Sequence, residues 1–360
     1  MIDIFDGFYK GKRVLVTGHT GFKGSWLSIW LHEMGAQVIG VALDAFSKKD
    51  NYVLSGIGDK ISADIRCDIR DRQDIKRIMT EYRPEIVFHL AAQPLVRLSY
   101  DIPAETYETN VIGSINVMEA IRETKSVKVA IMITSDKCYE NKEQIYGYRE
   151  EEPMGGYDPY SSSKGAAEIA ISSWRRSFFN PSDYGTKHHV SIASVRAGNV
   201  IGGGDWAKDR IVPDCIRAIE SGNPISIRSP KSIRPWQHVL EPLSGYMLLA
   251  KKMWENPTKY CEGWNFGPLS ESITTVWDMA SKLIKYYGNG EMKDVSDPNA
   301  PHEAKLLMLD ISKARFHLGW KPRTNIDQCI ALVADWYKKY RTEDVYKLCV
   351  TEIEQFISKS

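Results

Sequence analysis

Residues 128 to 139 read KVAIMITSDKCY, an apolar run that ends in a hydroxyl, a carboxylate and an amine on consecutive residues, Ser135, Asp136 and Lys137. Tyr160 and Lys164 follow in the stretch YSSSK. Their i, i+4 spacing puts both on one face of a helix, and Asp158-Pro159 marks where that helix starts. An ammonium beside a phenol lowers the phenol pKa. Tyr160 is therefore a candidate base that takes a proton from a sugar hydroxyl while hydride leaves the same carbon. A YxxxK spacing alone is weak evidence, because both residues are common; its place about 25 residues after Ser135 makes it informative. The Asp136-Lys137 pair has two readings: a structural ion pair at a strand end, or an acid and a base for a further chemical step.

A second set of residues could hold a cofactor. The run KRVLVTG leads into Gly18, His19, Thr20, Gly21, Phe22, Lys23 and Gly24, after which an apolar helical pattern begins. Glycines at such a junction let backbone N–H groups approach a pyrophosphate, and the helix start adds partial positive charge. The pattern is GxxGxxG, which departs from GxGxxG and by itself marks only a tight turn as readily as a cofactor site. Asp44 lies 20 residues after Gly24, at the end of the second run. An acid there accepts both hydroxyls of an adenosine ribose and repels a 2′-phosphate, which favours NAD over NADP. Lys48 and Lys49 read as a solvated loop pair. The third run ends at Cys67-Asp68-Ile69, where Asp68 could bond an adenine amino group and Ile69 pack on the ring, with Asp71 free to cap the next helix. His19 and Lys23 either touch the pyrophosphate or face solvent.

These residues need a scaffold, and the rest of the chain describes one. The runs KRVLVTG, AQVIGVALD, EIVFHLAA, KVAIMITSD and SIASVRAGNV are short and apolar at nearly every position, as strands buried on both faces are. Amphipathic stretches at 25–34, 72–82 and 104–124 lie between them, long enough for crossover helices. The alternation predicts an α/β fold with a Rossmann-type, doubly wound parallel sheet. Beyond Gly198 the rhythm changes, and Gly, Pro and Trp crowd residues 202 to 235. The expected division is an NAD-binding domain over 1–197, with 231–255 returning to it, and a smaller mixed α/β substrate domain over 198–360. Helices from Asn325 onward carry Leu, Ile, Trp and Tyr for packing.

Bulk properties narrow the class. The 360 residues suffice for two domains or one large unit, and 47 basic against 46 acidic residues give no reason to expect nucleic acid as a partner. The acidic start MIDIFDGFYKGK is unlike a signal peptide, and no apolar run approaches a membrane span. Six cysteines without a CxxC pair read as reduced thiols of a cytoplasmic protein, with no metal and no membrane partner expected.

Gly18, Gly21, Gly24, Asp44, Tyr160 and Lys164 together resemble the extended short-chain dehydrogenase/reductase family, over nearly the whole chain. The resemblance implies that Tyr160 is the base, that Ser135 assists it, and that Lys164 tunes it and holds the nicotinamide ribose. HLAAQ at 89–93, with Leu90, Ala91, Ala92 and Gln93, and Thr109-Asn110 match cofactor-side positions of the family. Asn110 reads equally as a structural residue. Within the family a carboxylate after Ser135 is similar to nucleotide-sugar 4,6-dehydratases. Those oxidise C4, eliminate water across C5 and C6, and return the hydride to C6. The resemblance assigns Asp136 to protonate the departing 6-hydroxyl. Enzymes for dTDP-glucose carry Asp-Glu here, with Glu as C5 base, whereas this chain has Asp136-Lys137. That departure, with TGHTGFKGSW at 17–26, GNVIGGGDW at 198–206 and RPWQHVLEPLSGY at 234–246, looks like the CDP-glucose branch. Lys137 would be the base only with a neutral amine, its proton shared with Asp136 as a coupled pair.

For the substrate, a nucleotide sugar, Arg234 is the first candidate for the phosphates, followed by Arg210 and His302. Arg196 and Asn199 follow the sixth strand at its carboxyl end, and Asn199, Gln93 and Ser135 could orient the sugar. Trp206 and Trp236 either stack on the pyrimidine or pack. A nucleotide-sugar 4-epimerase, a 4,6-dehydratase for another nucleotide, and an NAD-sensing regulator are the alternatives. Asp136 argues against the epimerase, and the presence of Ser135, Tyr160 and Lys164 argues against the regulator. Helices 104–124 and 158–179 could pair across a two-fold axis in a homodimer or homotetramer.

Overall fold

A computed structural model describes residues 2–269, 272–297 and 306–359. The runs form six strands, β1 (Arg13–Thr17), β2 (Gln37–Ala42), β3 (Ala63–Arg66), β4 (Ile86–His89), β5 (Val129–Ile133) and β6 (Ser191–Arg196), and a seventh that the sequence did not announce, β7 (Gly263–Asn265), joins them. Every pairing among them is parallel, in spatial order β7-β6-β5-β4-β1-β2-β3. The order reverses between β1 and β4, so a crevice opens past their carboxyl ends, where sheets of this kind bind ligands.

Burial follows from the two-residue period of a strand. Val14 and Val16 of β1, Phe88 of β4 and Ile131 of β5 enter one apolar cluster, with Trp26 and Trp30 of the following helix α1 (Phe22–Glu33). Leu15, Val87 and Met132 point the other way, onto Ile75, Met79, Val117 and Ile121 of the helices at 72–82 and 113–123. Both faces are covered, which is why these strands read as continuous apolar runs. At the edge, β3 is only half-buried at alternate positions and its sequence is correspondingly polar.

The helix start expected at Ser25 falls at Phe22, because Gly21 is the N-cap and the last glycine of the loop sits in the first turn. The stretch expected at 104–124 runs from Pro103 to Glu123, with a widened π-type turn at Glu108–Ile112. The catalytic helix begins at Pro159, with Asp158 accepting from the Ser161 N–H at 2.9 Å.

The later half of the chain returns to the sheet more than once. Helix Leu240–Glu255 contributes Leu243, Met247 and Ala250 to the same cluster as β1 and β5, and β7 then extends the sheet beside β6. Around them lie short mixed pairs: Val200–Ile201 with Gln237–His238, Ile225–Ile227 with Met292–Asp294, and antiparallel Ile233–Arg234 with Thr274–Thr275. Of the final helices, Ile326–Lys339 packs on Val276–Tyr287 and Val345–Ser358 closes over α1, where Trp30 meets Phe356 edge to face at 5.9 Å. Among the described residues no helix is long and apolar enough to cross a membrane.

Candidate active site

The glycine loop is folded against the end of β4. Gly18 has φ of 75°, and a Cβ there would lie 2.8 Å from the Ala91 nitrogen; one on Gly24 would lie 2.0 Å from the Gly18 oxygen. No side chain caps α1 and its first turn holds no acid, so the N–H groups at its start are open to an anion. Leu90 and Ala91 stay beside the loop because their N–H groups donate to the Thr17 carbonyl and hydroxyl, at 3.1 and 3.2 Å. Thr20 donates to the Leu43 carbonyl at 2.9 Å, and Phe22 lies against Gly202. These contacts fit a dinucleotide pyrophosphate.

One side chain in this loop takes neither course expected of it. His19 is fully buried, its Nε2 2.6 Å from Asp64 Oδ1, and Gly40 on β2 leaves the space that its ring fills. Lys23 is half-buried in the first turn of α1. Burial pulls its ammonium down to about 8, helped by Arg210 and Lys164 and opposed by Asp136. Its neighbours are thus catalytic groups.

At the adenosine end, Asp44 is solvent-exposed and accepts from Arg66 Nε at 2.8 Å; Arg66 also donates to Asp64 at 2.6 Å. Lys49 is tied to Glu220 at 3.2 Å and lies over the Trp206 ring at 4.7 Å, and so does not serve a ribose phosphate. Asp68 is held by Arg70 through bonds of 2.6 to 2.9 Å, and Ile69 is buried against Gly113. Asp71 caps the following helix, its carboxylate 3.0 Å from the Asp74 N–H.

Gln93 was expected to reach the sugar, but its amide donates to the Leu95 carbonyl and to Thr106, at 3.1 and 2.9 Å. The short turn after β4 uses up that side chain. Thr109 is half-buried in the π-type turn beside Asn110. Asn110 accepts from the Gln93 N–H at 2.8 Å and donates to Ser163 at 2.9 Å, which ties the end of β4 to the catalytic helix. The structural reading of Asn110 is the observed one.

Ser135, Asp136, Tyr160 and Lys164 are all buried and meet past the ends of β4 and β5. Ser135 Oγ donates to Asp136 Oδ1 at 2.9 Å and accepts the Lys137 N–H at 3.2 Å. The other carboxylate oxygen takes Asn199 Nδ2 at 3.3 Å and rests on Gly198, where a Cβ would lie 1.8 Å from it. Asn199 has φ of 50° to make that turn. Among the described residues Asp136 and Lys137 form no ion pair, and Lys137 is half-buried.

Tyr160 departs from the expected low pKa. Burial pushes its phenol up to about 12, and Asp136 adds to the rise; a hydrogen bond with Ser135 and the Arg210 charge act the other way. Burial likewise pulls Lys164 down to about 8, opposed by Cys138 and Glu168. Desolvation of both groups exceeds what their proximity does.

Of the substrate candidates, Arg210 joins the cluster, paired with Asp205 at 2.8 Å and close enough to influence Lys23 and Tyr160. Arg196 does not. It is 5 % exposed and its guanidinium is committed to Glu168 at 2.9 Å and Tyr139 at 2.5 Å. Its position on β6, inside the sheet, leaves it no route to a ligand. Arg234 lies on the outer pair with Thr274–Thr275 and donates to the Ile233 carbonyl at 2.9 Å. His302 lies outside the described residues. Trp206 packs on Tyr337 and Tyr340, and Trp236 is buried in the main apolar cluster.

Sequence reasoning passed over Glu168, Asp205, Arg66 and Tyr246. Glu168 had a signal, four residues after Lys164 on the same helical face. Tyr246 is fully buried, its hydroxyl without a partner among the described residues, and burial and Asp136 raise its pKa.

Comparisons with known proteins give the chain its relatives. A family model described as GDP-mannose 4,6 dehydratase matches residues 15–333. The chain is 51% identical over 359 residues to CDP-glucose 4,6-dehydratase of Salmonella typhimurium, covering 99% of each. Among solved structures it is similar to a dTDP-glucose 4,6-dehydratase of Streptomyces venezuelae with NAD bound, at TM-score 0.76 and 19% identity, covering 91% of this chain and 98% of that one. It is also similar to the UDP-glucose 4-epimerase of Thermotoga maritima, at TM-score 0.76 and 24% identity, covering 91% and 99%.

Proposed function

The chain belongs to the CDP-glucose 4,6-dehydratase family, within the group matched by the GDP-mannose 4,6-dehydratase model, and on that premise we propose how its residues work. It is an NAD-dependent hydro-lyase that converts CDP-glucose to CDP-4-dehydro-6-deoxyglucose. NAD, when bound, accepts the hydride from C4 and returns it to C6. The loop Gly18 to Gly24 and the open start of α1 would hold its pyrophosphate, Asp44 its adenosine ribose and Lys164 its nicotinamide ribose.

Tyr160 takes the proton of the 4-hydroxyl. Its phenol is close enough to Ser135 to be influenced by it, and Ser135 donates to Asp136, so that proton has a route to the carboxylate that must protonate the 6-hydroxyl as water leaves. Lys137 takes the C5 proton and returns it when C6 is reduced. The protons then balance: one passes from O4 to the departing water, and one leaves C5 and comes back. A carboxylate seated between Ser135, Asn199 and Gly198, beside the redox tyrosine, is the observation that carries this reading over a 4-epimerase, whose reaction leaves the 6-hydroxyl in place.

Lys23 and Arg210, the latter paired with Asp205, lie close enough to influence each other and supply cations for a diphosphate. We assign work in the cytoplasm, in keeping with six free cysteines. A homodimer is supported by Ile112 and Ile169, 49% and 60% exposed on the helices at 103–123 and Pro159–Ser177.

Incubation with CDP-, dTDP-, UDP- and GDP-glucose, followed by mass spectrometry, tests the assignment. CDP-glucose should lose one water. Loss from dTDP-glucose and not from CDP-glucose would overturn the nucleotide assignment.

A further inference from the structure

Glu168 takes no part in the steps above, yet the catalytic elements meet at its carboxylate. It lies one turn beyond Lys164 on helix Pro159–Ser177 and is 3 % exposed. Thr134, the residue before Ser135, donates its hydroxyl to Glu168 Oε1 at 2.5 Å. Ser194 and Arg196 of β6 donate to Oε2 at 2.8 and 2.9 Å. Arg196 carries the network on to the Tyr139 hydroxyl and the Glu150 carbonyl, at 2.5 and 2.9 Å, and Tyr139 donates to Asn265 of β7 at 2.8 Å. One carboxylate therefore joins the end of β5, the catalytic helix and β6.

Neutral side chains could align three elements at less cost than a buried charge. What a charge adds is its effect on Lys164. The ionisable groups around that ammonium are Tyr160 and Glu168 on its own helix, Cys138 on the turn after β5, Lys23 on the glycine loop and His89 on β4. Burial pushes the Cys138 thiol well up and pulls His89 down to about 3, so both are neutral near pH 7. Lys23 is a cation and works against Lys164. Burial raises the Glu168 carboxyl, but the Arg196 guanidinium and the Thr134 and Ser194 hydroxyls outweigh it and keep the group ionised. Among these neighbours, Glu168 is the anion.

We propose that Glu168 is a positioning residue that keeps Lys164 protonated despite its burial and holds it in register with Tyr160 and Ser135. The inference rests on the dehydratase reading, in which Lys164 must be a cation to hold a ribose and to assist Tyr160.

The test is the pH dependence of kcat for water loss from CDP-glucose, with full-length enzyme saturated with NAD. Wild type should lose activity as pH rises through about 8, where Lys164 gives up its proton. Glu168→Gln should move that limb toward acid by about one pH unit, roughly a five-fold lower rate at the wild-type midpoint. Glu168→Asp keeps the charge and should bring the limb back to within about 0.3 unit of wild type. The Gln variant leaves Arg196 buried and unpaired, so a double variant, Glu168→Met with Arg196→Met, guards against misfolding by removing both charges. Its limb should also lie on the acid side. Lys23 titrates in the same range, but its neighbours are Arg210, Asp136 and Lys164, so a shift confined to Glu168 variants reports Lys164. A folded Gln or Met/Met variant with an unmoved limb overturns the proposal, as does Glu168→Asp displaced as far as Glu168→Gln. A wild type that removes no water at any pH fails differently, by removing the dehydratase reading itself.

Discussion

At the scale of single residues, the question is how Asp136 and Lys137 divide two proton transfers. They are adjacent in sequence but not paired: Asp136 is held by Ser135 and Asn199, whereas Lys137 reaches solvent. A carboxylate bonded to the redox serine suits the acid, and an amine free of an ion pair suits a base. Lys137→Ala should therefore oxidise C4 and stop. In a single turnover, a 4-keto sugar that keeps its 6-hydroxyl should build up, with water loss slowed at least about 100-fold. Elimination at the wild-type rate would exclude Lys137 as the base. Both residues were legible in KVAIMITSDK, because a charged pair closing a buried strand is unusual. Arg196 was misplaced for the opposite reason. It too ends a buried strand, but its partner Glu168 comes from a helix and only the packed structure shows the pair.

At the scale of elements, the segment after β6 determines how Asp136 is aimed. Gly198 lets the carboxylate pack on the backbone, Asn199 takes a left-handed conformation to bond it, and Gly202 rests on Phe22 of the cofactor loop. Gly198→Ala would put a methyl 1.8 Å from Asp136 Oδ2, so the carboxylate must move. Water loss should fall about 100-fold, since shifts of about 1 Å in catalytic geometry carry penalties of that size. NAD affinity, measured by titration calorimetry, should stay within about two-fold, because the Gly18 to Gly24 loop is untouched. A parallel loss of NAD affinity would mean that the segment supports the cofactor loop instead. Strands β1 to β6 and the helices at 72–82 and Pro159–Ser177 were readable from period and caps. The π-type turn at Glu108–Ile112 was not, since it arises where Asn110 is drawn to Gln93 and Ser163 and so has no local sequence signal.

At the scale of the whole molecule, the exposed apolar positions on the two outer helices are the basis for pairing of chains. Ile169→Arg places a cation in the proposed dimer face and should give a monomer by light scattering, with the fold intact by circular dichroism. A variant that keeps the wild-type mass moves the interface elsewhere.

The order of apolar runs and glycines determined by itself that this chain forms a doubly wound parallel sheet. The motifs placed a redox tyrosine, a lysine and a spare acid at one end of it. These follow from sequence because strand period, helical spacing and glycine freedom act over a few residues. Tertiary structure alone decided that His19 lies under β2, that Lys23 faces the catalytic groups, and that Glu168 and not a ligand occupies Arg196. It also decided that β7 joins the sheet from far along the chain. Each of these depends on which distant groups desolvate one another, and that is set only when the elements pack.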